Sequence, residues 1–261
     1  MVGWTPKPAK APGRSAPFIA IWFVIFMLPF FLWVRESKIP NRLGGLQQSL
    51  TDLKDTLKNM TKRPSLFAFM GAQMFYRDAL NGLYAFVGVY AVLVLGWGQT
   101  QLGVFGILGG LSAAIVTWIS GKYDQKLGPL PVIYFHISVL TFVSLCIIGM
   151  SRDSFFCLAL QETSALPDVI FYICGAAIGG SGGGIYAASR SMMVRHTNPD
   201  RPTEAFGLFA LAGKATAFLA PLLIGLFTYW LNDARLGFTP VVGLFIFGML
   251  LLRWVNPNGD Q

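Results

Sequence analysis

The 261 residues are 54% hydrophobic and 14% aromatic, and only 12% are charged, against roughly a quarter charged in a soluble domain. This balance excludes an ordinary cytosolic enzyme, and the 29 glycines, set inside apolar stretches without a collagen period, exclude a fibrous or disordered chain. Twenty Lys and Arg against twelve Asp and Glu give +8; in a chain this apolar the excess marks cytoplasmic loops, not a nucleic-acid surface.

The expected fold is all-α and polytopic, with the lipid bilayer as its principal partner. A helical crossing takes about twenty residues, and seven stretches qualify: 17–34, 65–97, 102–120, 131–150, 167–190, 204–230 and 238–255. The second and sixth are long enough to tilt or to extend beyond the membrane. Between the first two, Leu46, Leu50, Leu53, Leu57 and Met60 recur every three or four residues with Asp52, Lys54, Asp55 and Lys58 between them, predicting an amphipathic helix on the cytoplasmic surface. The chain thus divides into a tail and first helix (1–34), a cytoplasmic linker (35–64) and a six-helix bundle (65–261).

Loop charge sets the orientation. The loops after spans one, three and five carry Arg35, Lys38, Arg42, Lys54, Lys58, Lys62 and Arg63, then Lys122 and Lys126, then Arg195 and Arg201, whereas the alternate loops carry little net positive charge. The positive-inside rule places the former loops and the C-terminus in the cytoplasm. Parity then puts the N-terminus outside, although its tail holds Lys7, Lys10 and Arg14 and no acid. A cleaved signal peptide does not resolve the conflict, because Arg35-Glu36-Ser37-Lys38 follows the apolar run where small residues are required. The expectation is that this chain is the later part of something longer.

Soluble-enzyme motifs fail on inspection. The segment Gly207 to Thr216 has one residue too many for a phosphate-binding loop, and the glycine run from Gly179 has Ile185 where a dinucleotide fingerprint needs its third glycine. Gly179-Gly180-Ser181-Gly182 fits the G-x-S-G of intramembrane serine proteases, but the only later histidine, His196, falls in a predicted loop, and His136 precedes the serine. Cys146, Cys157 and Cys174 are odd in number and lack ligand spacing, so neither a disulfide framework nor a metal site is expected, and no cofactor. The glycines read better as packing: Gly175, Gly179 and Gly183 recur at four-residue spacing, as do Gly106 and Gly110, allowing helix backbones to approach and bend.

Ionisable residues inside the membrane are the sharper pointers, since each costs several kcal/mol unless paired or hydrated. At about 1.5 Å per residue, Arg77 and Asp78 lie roughly 18–20 Å deep and Lys214 roughly 15 Å, near the midplane of a core about 30 Å thick. Gln73, Arg77, Asn81 and Tyr84 share one side of the second span by their spacing, a face suited to water or substrate. Arg190 reads as a snorkelling anchor and Glu204 as a carboxylate at a helix start.

Phe75-Tyr76-Arg77-Asp78-Ala79-Leu80-Asn81-Gly82, Ser189-Arg190-Ser191, Glu204-Ala205-Phe206-Gly207-Leu208 and Gly213-Lys214-Ala215-Thr216-Ala217-Phe218-Leu219-Ala220-Pro221 resemble the bacterial branch of the vacuole-effluxer-like family (the autophagy-related amino-acid effluxer type) of the major facilitator superfamily. The segment Gly121 to Gly128 resembles that superfamily's G-x-x-x-D-R-x-G loop, departing from it at Gln125 and Lys126. The resemblance implies that the seven spans correspond to helices six to twelve of a twelve-helix transporter, which would explain the parity conflict. It further implies secondary transport, as efflux, of a small polar solute such as an amino acid across a bacterial inner membrane, with no enzymatic chemistry. A missing N-terminal half, as a separate chain or a second copy, is the implied partner. Within that reading Asp78 changes charge state or pairing during the cycle and Lys214 is its partner. Arg77, Gln73, Asn81 and Tyr84 line the path, and Gly179, Gly183, Asp124, Arg190 and Glu204 serve gating or helix packing. The competing expectation is a non-transporting membrane scaffold that retains a half-transporter bundle.

Overall fold

The computed structural model describes residues 15–33, 63–152, 154–156, 158–159, 164–197 and 202–259. The expected amphipathic helix at 46–60 and the basic tail lie outside them, as does the side chain of Glu204. Two units are distinguished, 1–49 and 50–261. The first contains α1 (Ser15–Trp33), 19 residues long and apolar on every side, with Trp22 and Phe26 in ring contact at 4.7 Å.

The second unit contains α2 (Pro64–Leu95), α3 (Gln99–Leu127), α4 (Pro129–Ile148), α5 (Leu166–His196), α6 (Pro202–Ala215), α7 (Leu219–Leu231) and α8 (Thr239–Leu251), with 3-10 turns at Leu236–Phe238 and Leu252–Trp254. Six helical stretches among the described residues are long and apolar enough to cross a membrane; α1 adds a shorter apolar run over Pro17–Trp33. Proline sits in the first positions of α2, α4, α5 and α8, where its fixed φ suits a helix start and its missing N–H costs nothing. Gly96, at φ +70°, closes α2 in the left-handed conformation and returns its N–H to the Ala91 carbonyl.

α2 lies centrally, against α8, α6 and α7, and α5 packs on α3 and α4. Phe69, Tyr76, Leu80, Ile137, Phe171, Met192 and Phe245 are fully enclosed in the core. By contrast α3 buries only Ser120 and presents Ile107, Leu111, Ile115 and Trp118 outward, as a helix does when lipid or another apolar surface completes its environment. The α3–α5 crossing is close because a Cβ at Gly179 would fall on the Gly109 backbone carbonyl, and one at Gly183 on the Thr117 hydroxyl.

Three expectations are revised. The α3 partner in the close crossing is Gly109, since a Cβ on Gly106 or Gly110 would meet nothing within 4 Å. The segment expected to be a loop after residue 120 is helical to Leu127 and turns only at Gly128, φ +85°; Lys122 folds back over Trp118, 3.6 Å from the ring centre, so its charge does not end the helix. The sixth span is two helices, interrupted between Ala215 and Leu219. A short hairpin pairs Ser154–Phe155 with Leu158–Ala159 between α4 and α5.

The ends of this unit differ. At one end, which carries Arg63, Lys122, Lys126 and Arg195, the Ser65 hydroxyl meets His196 Nε2 at 2.8 Å and accepts the Asn256 N–H at 2.8 Å. At the other, Asp168 accepts the Trp97 indole N–H at 2.6 Å and both its oxygens accept Arg152 Nη1 at 2.9–3.0 Å.

Candidate functional site

The interruption in the sixth span has a local cause. Pro221 has no N–H to give the Ala217 carbonyl, and its ring would collide with that carbonyl in a continuous helix. The chain therefore tightens, with Ala217 N donating to Lys214 O at 3.2 Å and Leu219 N to Thr216 O at 2.7 Å, then restarts with Leu222 N on Phe218 O at 3.0 Å. One donor in the new first turn, Ala220 N–H, still needs an acceptor, and water is scarce at this depth.

Asp78 supplies it. Its Oδ2 accepts Ala220 N–H at 2.8 Å, and the residue is 1% exposed. A carboxylate there also complements the partial positive charge of the α7 N-terminus. Thr216 ties the other side of the break to α2 through its hydroxyl on the Met74 carbonyl at 3.2 Å. Gly82, one turn beyond Asp78, makes the approach possible: a Cβ there would stand 2.7 Å from Ala220 Cβ. Asp78 Oδ1 is buried and has no hydrogen-bond partner among the described residues.

One residue before Asp78, Arg77 points to a different neighbour set. Its guanidinium lies 5.3 Å from the Tyr186 ring centre and 5.5 Å from that of Phe209, over Gly213, where any Cβ would collide with it. With Tyr186, Arg190, Phe206, Phe209 and Ala210 it lines a cavity of about 420 Å³. Tyr186 donates to Asn81 Oδ1 at 3.2 Å and also borders a second cavity of about 360 Å³, lined by Tyr84, Gly106, Gly110, Gly179 and Gly183.

The expected residues are thus distributed unequally. Arg77 and Arg190 meet at one cavity, Tyr84, Gly179 and Gly183 at the other, and Asn81 braces the tyrosine between them. Gln73 lines neither cavity: it is fully buried and donates to the Phe209 carbonyl at 2.9 Å, holding α6 against α2. Asp78 and Lys214 are not brought together, since Lys214 is exposed and no ion pair joins the two. Asp124 lies at the α3 end, with Oδ1 buried and unpaired among the described residues. Ser181 is buried, and His136, which packs against Gly184, is hydrogen-bonded to Ser120 at 2.8 Å.

Sequence reasoning missed Tyr186, Phe206, Phe209 and the Ala220 amide. The first could have been found, because Tyr186 stands one helical turn before Arg190, and Phe206 and Phe209 share a side of α6. A backbone amide carries no residue signature; only Pro221 hinted that one would be freed.

This arrangement, six helical stretches long and apolar enough to cross a membrane, one of them broken at a proline and capped by an acid from its neighbour, is that of a polytopic all-α membrane protein. The vacuole effluxer Atg22 like family matches residues 15–259, and the chain belongs to it. It is 24% identical over 252 residues to the uncharacterized MFS-type transporter YxiO of Bacillus subtilis, covering 96% of this chain and 55% of that protein. It is also 20% identical over 278 residues to autophagy-related protein 22 of Candida glabrata, covering 96% of this chain and 50% of that protein. The chain therefore spans about half the length of these relatives. No solved structure matches it.

Proposed function

We propose that this chain forms the C-terminal half of a major facilitator transporter and moves a small polar solute outward across a bacterial inner membrane. Its C-terminus lies in the cytoplasm, and an N-terminal half, as a separate chain or a second copy, forms the facing wall. The observation that carries this reading is the break between α6 and α7, capped by Asp78 beside an arginine-lined cavity. Discontinuous helices whose ends meet polar groups are how membrane transporters build midplane sites, and rocking of two bundles exposes such a site to each side in turn.

In this mechanism Asp78 is the switch. While its carboxylate holds the α7 N-terminus, α2 and α7 move as one body; when it takes up a proton or a cation, the grip on Ala220 weakens and α7 tilts. Arg77 and Asn81 present the solute-binding face with Tyr84 further along, Gln73 steadies α6, and Lys214 projects from α6 toward the facing half. Gly179 and Gly183 let α5 slide on α3, while Asp124 and Glu204 act at the cytoplasmic gate and Arg190 stands at the mouth of the Arg77 cavity.

The test is efflux of labelled small polar solutes, organic acids and amino acids in parallel, from vesicles carrying the assembled transporter, both halves present. Asp78→Asn should abolish coupled efflux while the protein still folds and inserts. Efflux by Asp78→Asn at the unmodified rate, or robust uptake by this bundle shown to be monomeric, refutes the reading.

A further inference from the structure

Arg77 and Arg190 enter the same cavity, and none of the described residues that line it carries a negative charge. The nearest acid in sequence, Asp78, is turned away and occupied by the Ala220 amide. Among the described residues Arg77 has no ion pair, and its Nε is buried without an acceptor. The rings of Tyr186 and Phe209 fix the guanidinium plane, but a ring face takes no in-plane hydrogen bond, so the forked donors stay unspent. Gly213 removes the side chain that would otherwise fill the space they occupy. Arg190 is exposed and likewise makes no hydrogen bond or ion pair with a described residue.

Such a site has a defined chemical complement. Two guanidiniums within a largely apolar cavity are costly unless an anion neutralises them, and the planar fork matches a carboxylate bidentately. Phe206, Phe209 and Tyr186 offer flat apolar surface to the rest of the molecule. The described lining contains no carboxylate to pair with an ammonium group.

We infer that this cavity binds an organic carboxylate anion with a flat or apolar body, gripped by Arg77 and Arg190, and that the transported solute is therefore an organic acid and not a zwitterion. This rests on the transport reading above, and names the solute class for it. The same donors would also accept the phosphate of an anionic lipid headgroup, so the test must separate a soluble acid from a lipid.

The experiment uses the purified full chain in a neutral detergent, with equilibrium dialysis of radiolabelled benzoate. Competition by benzamide, its neutral isostere, and by phenylalanine, which adds the ammonium, reads the charge requirement. Benzoate should bind saturably, benzamide should fail to compete, and phenylalanine should compete at least tenfold less well than phenylacetate. Arg77→Gln and Arg190→Gln should each weaken benzoate at least tenfold. Because Arg77 is partly enclosed, Arg190→Gln and Arg77→Lys serve as variants whose folding is not in question. Lys should restore only part of the affinity, since it keeps the charge but loses the fork. A parallel arm compares nanodiscs of phosphatidylglycerol with phosphatidylcholine. If benzoate binds equally in both, the soluble-acid assignment stands; if phosphatidylglycerol abolishes benzoate binding and the arginine variants lose the lipid instead, it falls. Equal competition by benzamide, or unchanged binding by both arginine variants, also overturns it. Binding does not require turnover, so a chain that binds benzoate yet fails in efflux refutes the transport reading alone, and efflux with no preference for anions refutes this inference alone.

Discussion

The Asp78–Ala220 contact makes a prediction that separates a cap from a salt bridge. Asp78→Asn and Asp78→Leu remove the same charge and differ in whether an acceptor remains for the Ala220 N–H, now held at 2.8 Å. Losing that acceptor orphans a buried backbone donor, which costs about 1–3 kcal/mol, comparable with the loss of a helix N-cap at about 0.5–2 kcal/mol. Both figures describe one bond and do not add. Asn keeps a carbonyl of the same shape, and it relieves a buried carboxylate whose Oδ1 has no partner among the described residues, so it should lie within about 1 kcal/mol of the unmodified protein. Leu should lie about 1–3 kcal/mol below Asn. The assay is thermal unfolding in detergent, followed by tryptophan fluorescence, for the single variants and for each combined with Lys214→Met. Because Lys214 is exposed and unpaired with Asp78, the effects of Asp78→Asn and Lys214→Met should add within about 0.5 kcal/mol. Equal stability of the Asn and Leu variants, or a coupling above about 1 kcal/mol with Lys214, would refute the cap and restore an ion pair as the role of Asp78.

At the α3–α5 crossing, Gly179→Ala should cost about 1–3 kcal/mol by driving a methyl onto the Gly109 carbonyl, whereas Gly106→Ala, which meets nothing, should be neutral or slightly stabilising; equal melting temperatures would contradict the crossing. Arg235 hydrogen-bonds Asp233 and holds its carboxyl below the ordinary range. The pair therefore contributes stability above the unfolded-state pKa of about 3.9, and loses it as pH falls through the lower folded value. The stability gap between the unmodified chain and Asp233→Asn should accordingly be flat from neutral pH to about 5 and close only below about 4; a gap that closes near neutral pH contradicts this. For orientation, an impermeant thiol reagent applied to intact cells should label a cysteine placed at the exposed Phe156 and not one at Lys122. The reverse pattern would invert the topology.

Hydropathy alone determined the class, all-α and polytopic, because in a bilayer every backbone polar group must be satisfied within its own helix; of the seven expected spans six are long apolar stretches in the structure and the first is a shorter apolar helix. The family was legible too, from the Arg77-Asp78 segment and the run ending at Pro221. The place of Asp78 midway along a long apolar helix was also legible; its partner was not. Lys214 was expected at a similar depth, but charge and position along a helix do not say which way a side chain faces. The tertiary structure decided this by crossing α7 over Gly82, which delivers the Ala220 amide, an atom common to nearly every residue, to the carboxylate. Gln73 shows the same limit: its spacing placed it on the polar face, and only the position of α6 turned it into a brace for the Phe209 carbonyl. The arginine cavity likewise needed three helices to meet, since Arg77, Arg190 and Phe209 are far apart in sequence. Periodicity reports how a helix meets its solvent, while the pairing of polar groups across helices depends on crossing points set by glycine contacts and a proline break, which only the packed bundle fixes.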